Sequence, residues 1–221
     1  NAKKLIDTGV TGIAYETVTS SDGSMPLLAP MSTIAGQLAF IVGSYHLLKH
    51  NKGKGVMIGK MDDIDPRVVT VIGAGVSGTQ SILKAIDNNA IVKVVDSSQS
   101  KLDELQSKYG SNNIEYVLST QESIQSSIND SDLVIGSVYV VGKEAPKVVK
   151  REMLSSMNPG TVMVDVSIDQ GGCFETSKPT THDNPTFLEN DIVHYCVTNM
   201  PGAVPLTCLL YTSDAADDFT S

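Results

Sequence analysis

The chain has no tryptophan and only three cysteines among its 221 residues. Cys173, Cys196 and Cys208 are too scattered to staple a disulfide scaffold, and none forms a C-x-x-C pair. A reducing, cytoplasmic location is the one expected. No stretch approaches the roughly 20 apolar residues needed to cross a bilayer, so no membrane partner is expected. Positive charge is also in short supply. A net charge of -9 repels nucleic acid and anionic lipid at long range, so a phosphate-bearing ligand must be held by local geometry. That excludes a polymeric polyanion and points to a small nucleotide. Neither an initiator methionine nor a signal-peptide pattern opens the sequence, and Asn1 is expected to be a cut end.

What is present is ordinary for a folded protein: 41% hydrophobic and 19% charged residues. The length allows one large core, or one domain with a piece of another, and the second is expected. Residues 1–32 read as a remnant of one domain, with a helix end, the strand Gly12–Val18 and a Ser/Gly loop over 20–24. Ile34, Leu38, Ile41, Val42, Tyr45 and Leu48 recur at helical spacing after Pro30. This predicts a connecting helix over Thr33–Lys49 with Ser32 as its N-cap, inside a linking segment 33–50.

From 51 to 200, strands and helices alternate as in a parallel sheet with crossovers. Strands are predicted at Val68–Ile72, Ile91–Val95, Ile114–Leu118, Asp132–Ile135, Thr161–Val166 and Val193–Thr198. Helices are predicted from the glycine loop to about Asn88, and at Lys101–Tyr109, Glu122–Ile128 and Lys150–Ser156. The fold class is therefore α/β, a doubly wound, Rossmann-type parallel sheet.

The sequence VVTVIGAGVSG sets Gly73, Gly75 and Gly78 in a G-x-G-x-x-G pattern between an apolar strand and a helix. Gly73 makes the tight turn, Gly75 lets a pyrophosphate approach the backbone, and Gly78 lets helix and strand pack closely. The first helical residues, Val76 and Ser77, lie where unpaired N–H groups meet the anion. A bare strand-to-helix turn is the competing reading. Against it, a second strand ends in Asp96, about 20 residues on, where a carboxylate accepts hydrogen bonds from an adenosine ribose. Its charge repels a 2'-phosphate, so NAD is expected rather than NADP, softened by Lys101, Ser97 and Ser98.

A metal site assembled from His182, Asp183, His194, Cys173 and Cys196 matches no compact zinc spacing, so none is expected. His194 and Cys196 share a strand face and read as core, and His46 reads as packing or facing solvent. Ser137, in IGSVYVVG, has no partnered His and Asp pattern, so a hydrolase elbow is not indicated.

The segments GIAYETV, PLLAPMSTIAGQLA, GAGVSG, DLVIGSVYVVGKEAPKVV, VDVSIDQGGCFETSKPTTHDNPTF and HYCVTNMPGAVP together resemble alanine dehydrogenase, from the start to about Pro205. The related alpha subunit of proton-translocating transhydrogenase is the alternative, distinguished by different segments after the last strands and by membrane spans in the parent gene. The resemblance implies reversible, NAD-dependent oxidative deamination of L-alanine to pyruvate and ammonia by a homohexamer with its substrate site between two domains. It also implies cofactor contacts at Ser32, Asp96, Lys101, Ser119, Val138, Tyr139, Ile168, Lys178, Asn199 and Met200, with Val166, Ser167, Val197 and Thr198 alongside. Tyr139 departs from the aliphatic residue usual there. Asp169 matches the catalytic aspartate. It follows a strand's carboxyl end, where open parallel sheets bind ligands, although Asp before Gly-Gly also suits a plain turn. Strand-end packing is likewise the other reading of Asn199 and Met200.

The resemblance places the family's substrate-holding lysine and histidine before Asn1, so the chain alone is expected to bind cofactor without turning over alanine. Residues 201–207 read as the start of a return to the first domain. Residues 208–221, CLLYTSDAADDFTS, resemble an in-frame translation of a sequencing adapter and are expected to have no role and no stable packing.

Overall fold

The computed structural model describes residues 2–217. A seven-stranded sheet fills its centre. The strands are β1 (Val68–Ile72), β2 (Ile91–Asp96), β3 (Ile114–Leu118), β4 (Leu133–Gly136), β5 (Val162–Asp165), β6 (Thr186–Glu189) and β7 (Ile192–Tyr195). They lie in the order β3-β2-β1-β4-β5-β7-β6. All pairings are parallel except β6 with β7. The direction of winding reverses between β1 and β4, and in such sheets the crevice beyond the strands' carboxyl ends at that reversal is the ligand position.

The central strands are apolar on both sides, as parallel strands covered on two faces must be. Val69, Val71, Val92 and Val94 join the core shared with α2 (Ala29–His46), α3 (Val76–Asp87) and α4 (Gln99–Tyr109). Ile72, Val95, Val134 and Met163 meet α5 (Gln121–Asn129) and the 3-10 helix Arg151–Ser156. Helix α2 crosses α3 with almost no gap. A Cβ at Gly36 would lie 2.0 Å from the Ser77 carbonyl oxygen, and the Ser81 hydroxyl donates to the Gly36 carbonyl at 2.7 Å. Helix α2 is thereby fixed to the helix that follows the glycine turn.

Four sequence expectations change. Residues 12–18 are not a strand: they contain a 3-10 turn at Tyr15–Thr17 and stand almost wholly exposed. A β-branched run without a neighbouring strand or a buried face has no ladder to join. Helix α2 starts at Ala29, not Thr33, with Pro30 inside its first turn, and Ser32 is not its cap. Proline there loses only an N–H that would have had no partner. The segment predicted as the helix Lys150–Ser156 is a 3-10 helix, Arg151–Ser156, rather than an α-helix. Strand β6 went unread: its TFLE sequence shows only half-burial at the sheet edge. Helix α6 (Pro205–Asp217) takes in residues 208–217, with the Cys208 thiol 3.2 Å from the Pro201 carbonyl. Leu209, Leu210 and Tyr211 remain exposed, and residues 218–221 lie outside the described residues.

Candidate cofactor and catalytic site

Each glycine of the loop meets a different constraint. Gly73 has φ +95° and its added Cβ would lie 2.6 Å from the Ser137 carbonyl oxygen, so both conformation and space require glycine. At Gly78 a Cβ would fall 1.8 Å from the Gly73 oxygen. Gly75 is the opposite case: no heavy atom lies within 4 Å of its added Cβ. As the N-cap of α3 it offers no side-chain hydrogen bond, so the first N–H groups of this helix are presented beside open space.

From this loop a continuous set of contacts crosses the carboxyl ends of the strands. Asp96, buried at the end of β2, accepts from the Ala74 N–H at 2.7 Å through one oxygen and from the Ser98 N–H at 2.8 Å through the other. The Ser119 N–H donates to the Asp96 carbonyl at 2.9 Å. The Ser137 hydroxyl donates to the Gly73 carbonyl at 2.7 Å, tying the β4 loop to the glycine turn. Beyond it, the Ser167 hydroxyl donates to the Val138 carbonyl at 2.9 Å. Two residues later Asp169 is exposed in the 3-10 turn Ile168–Gln170 and accepts from the Asn199 N–H at 3.3 Å. The Ser77 hydroxyl donates to the Ser32 carbonyl at 2.8 Å, adding α2 to the set.

Of the residues singled out from sequence, Ser32, the glycine loop, Asp96, Ser119, Val138, Ser167, Asp169 and Asn199 are joined by these contacts. Val166 extends β5, its N–H donating to the Gly136 carbonyl at 2.8 Å. Val197 bridges to Thr180, Thr198 follows it, and Met200 is buried beyond Asn199. Ile168 is buried beside Asp169, and Lys101 is exposed in the first turn of α4. Two side chains make contacts outside this set. Lys178 reaches Glu189 at 3.4 Å and sits over the Phe187 ring, while the Tyr139 hydroxyl lies 3.8 Å from the Met25 sulfur.

Sequence reasoning missed Asp165. It is wholly buried at the end of β5 and gathers the N–H groups of Ser167, Cys173 and Phe174 together with the Ser177 hydroxyl. Burial pushes its carboxyl above the usual range, opposed by those donors. The clue was a carboxylate inside the otherwise apolar run VMVDV, since such a group is rarely buried without partners. Cys173 and Cys196 are core thiols pushed up by burial, Cys196 to about 12. His194 is core as well, with Nε2 2.8 Å from the Thr176 hydroxyl. Among the described residues, no group of three or more His, Cys, Asp or Glu side chains is arranged to hold a metal. Nor, among them, is any helix long and apolar enough to cross a membrane.

The reversal in strand order, the glycine turn beneath it and the acidic end of β2 define a doubly wound α/β domain of the Rossmann type. Residues 39–217 match the family model for the alanine dehydrogenase/PNT C-terminal domain, and the chain belongs to that family. It is 49% identical over 205 residues to the alanine dehydrogenase of Halomonas elongata, covering 93% of this chain and 55% of that protein. The Mycobacterium tuberculosis alanine dehydrogenase is 46% identical over 203 residues, covering 92% and 54% respectively. A solved L-alanine dehydrogenase superposes with a TM-score of 0.92 at 38% identity, over 99% of this chain and 60% of that one. The transhydrogenase of Sinorhizobium meliloti gives 0.80 at 22% identity, over 98% and 62%, a likeness of fold. The chain spans about half the length of the curated relatives it matches.

Proposed function

We propose that this chain is the NAD(H)-binding portion of an L-alanine dehydrogenase. The observation that carries the proposal is the pairing of Asp96 with the glycine loop: its carboxylate receives the Ala74 N–H beside the open Gly75. The residues fit a dinucleotide. Gly75 leaves space for a pyrophosphate, the uncapped start of α3 supplies N–H donors, and each Asp96 oxygen keeps a second lone pair for ribose hydroxyls. Ser32, Val76, Ser77, Lys101, Ser119, Val138, Tyr139, Lys178 and the segments 166–169 and 197–200 complete the proposed contacts.

The reaction proposed is L-alanine, NAD and water giving pyruvate, ammonia and NADH, and its reverse. When bound, NAD supplies the hydride acceptor. Asp169 has one oxygen tied to the Asn199 N–H, leaving the other to take a proton from the substrate ammonium or from the attacking water. The fixed crossing of α2 on α3 and the buried Asp165 keep these groups in place, so little reorganisation is needed before reaction. The assembly proposed is a cytoplasmic homohexamer, and the only small-molecule partners proposed are L-alanine, pyruvate, ammonia and the nucleotide. Alanine dehydrogenase is favoured over transhydrogenase because the relatives of 46–49% identity bear the former name.

A titration with NADH, read by the reduced nicotinamide's fluorescence, tests the proposal. Saturable binding supports it. A folded sample that binds no NADH contradicts it.

A further inference from the structure

The turn carrying Asp169 is too short to hold itself. It is a single 3-10 turn, Ile168–Gln170, followed by Gly171 and Gly172 at φ +86° and +79°. Short 3-10 turns have poor hydrogen-bond geometry, and two successive left-handed glycines leave carbonyls that no strand ladder collects. On one side the N–H groups are taken up. Those of Gln170, Gly171 and Gly172 donate to Ser167 and Ile168 carbonyls at 2.9 to 3.0 Å, and those of Cys173 and Phe174 to the buried Asp165 carboxylate.

The carbonyls of the two glycines are taken up by one residue. The Lys147 ammonium donates to the carbonyl oxygens of both Gly171 and Gly172, the latter at 2.7 Å. The backbone on both sides of Lys147 is well anchored. The Ala145 N–H donates to the Gln170 carbonyl at 2.9 Å, the Val148 N–H to the Cys173 carbonyl at 2.8 Å, and the Glu175 N–H to the Val149 carbonyl at 2.9 Å. The Asp165 carboxyl therefore holds N–H groups on both sides of the turn, and the Lys147 ammonium holds the carbonyls of its two glycines. Charge-assisted hydrogen bonds of this kind are roughly twice as strong as neutral ones.

We propose that Lys147 is a positioning residue for Asp169, locking the turn that carries it through the carbonyls of Gly171 and Gly172. Without that lock the glycine pair is free to rotate, and the bond from the Asn199 N–H to Asp169 goes with it. The proposal rests on Asp169 being the acid–base group, but the lock itself is measurable separately.

The test compares the unmodified chain with Lys147→Met, which keeps an apolar stem, and Lys147→Arg, which restores a cation. Residue-resolved amide exchange and NADH titration are read on all three. In Lys147→Met, the amides of Gly171 to Phe174 are expected to exchange roughly 10- to 100-fold faster, the factor that a charge-assisted hydrogen bond represents. Val71 and Ile135 in the sheet should be unchanged, NADH should bind several-fold more weakly, and Lys147→Arg should recover most of both effects. Exchange accelerated equally in the turn and the sheet would reduce Lys147 to a general stabiliser and overturn the proposal. So would an unchanged turn. If the unmodified chain binds no NADH but the local exchange effect persists, the lock stands and the nucleotide assignment is what fails.

Discussion

Alanine at Gly78 puts a methyl group 1.8 Å from the Gly73 carbonyl oxygen and 2.6 Å from the Ser137 hydroxyl, where ordinary contact begins near 3.4 Å. The nearest obstacle is backbone, so α3 has to move away from β1 by more than an ångström. Overpacking of this kind costs about 1–3 kcal/mol, and loss of the Ser137 bond to Gly73 adds about 1 kcal/mol. The sum, about 2–4 kcal/mol, is a large part of the 5–15 kcal/mol by which typical domains are stable. Urea unfolding followed by far-ultraviolet circular dichroism should show the midpoint lowered by roughly 1–2 M, for a slope of about 2 kcal/mol per molar. Gly75→Ala is the matched control, since its Cβ meets nothing and its φ of -72° suits alanine. It should cost no more than about 1 kcal/mol, the range of N-cap preferences, yet weaken NADH binding by at least about tenfold because the methyl fills the space reserved for the anion. Wild-type unfolding of Gly78→Ala, or wild-type NADH affinity in Gly75→Ala, would refute this division of roles.

His46 is buried against the Tyr195 ring with its Nδ1 unpartnered among the described residues, and burial lowers its pKa from the ordinary 6.5. The unfolded chain then binds the proton more readily, so stability should fall as pH drops below about 6.5, and His46→Phe should flatten part of that slope; an unchanged slope would count against it. Cys173 and Cys196 are fully buried with raised pKa values whereas Cys208 is half-exposed. A thiol reagent at mildly alkaline pH should therefore find one fast group in the native protein and three after denaturation; more than one fast native thiol would contradict the core assignment.

The glycine loop and Asp96 were legible because their chemistry is local: a strand, a turn and a helix contiguous in sequence, then one strand more. The strands β1 to β5 and β7 were legible for a related reason, being short apolar runs bounded by turn residues. What was hidden depends on partners distant in sequence. Gly12–Val18 has strand-like residues but no neighbour, and Thr186–Glu189 has a neighbour, β7, but only half-buried residues. Pro30 reads as a break in the sequence, whereas its position in the first turn of α2 makes it compatible with the helix. Asp165 and Lys147 were invisible as site-builders because their partners are backbone groups of a turn, which no residue pattern marks. Lys178 was carried over from resemblance, and its contact with Glu189 depends on the edge strand that the sequence concealed.

In the proposed function, Asp96 and the glycine turn select NAD(H). The most direct measurement is a pair of fluorescence titrations, NADH and NADPH, on the chain and on Asp96→Ala, each checked for folding by circular dichroism. The absence of tryptophan leaves the nicotinamide signal clear. A carboxylate close to a 2'-phosphate repels it by at least the roughly 1.4 kcal/mol that corresponds to tenfold in affinity. NADH should therefore bind at least about tenfold more tightly than NADPH, with the gap narrowed in Asp96→Ala. Equal affinity for the two nucleotides in the unmodified chain, or an unchanged gap in a folded Asp96→Ala protein, would contradict it.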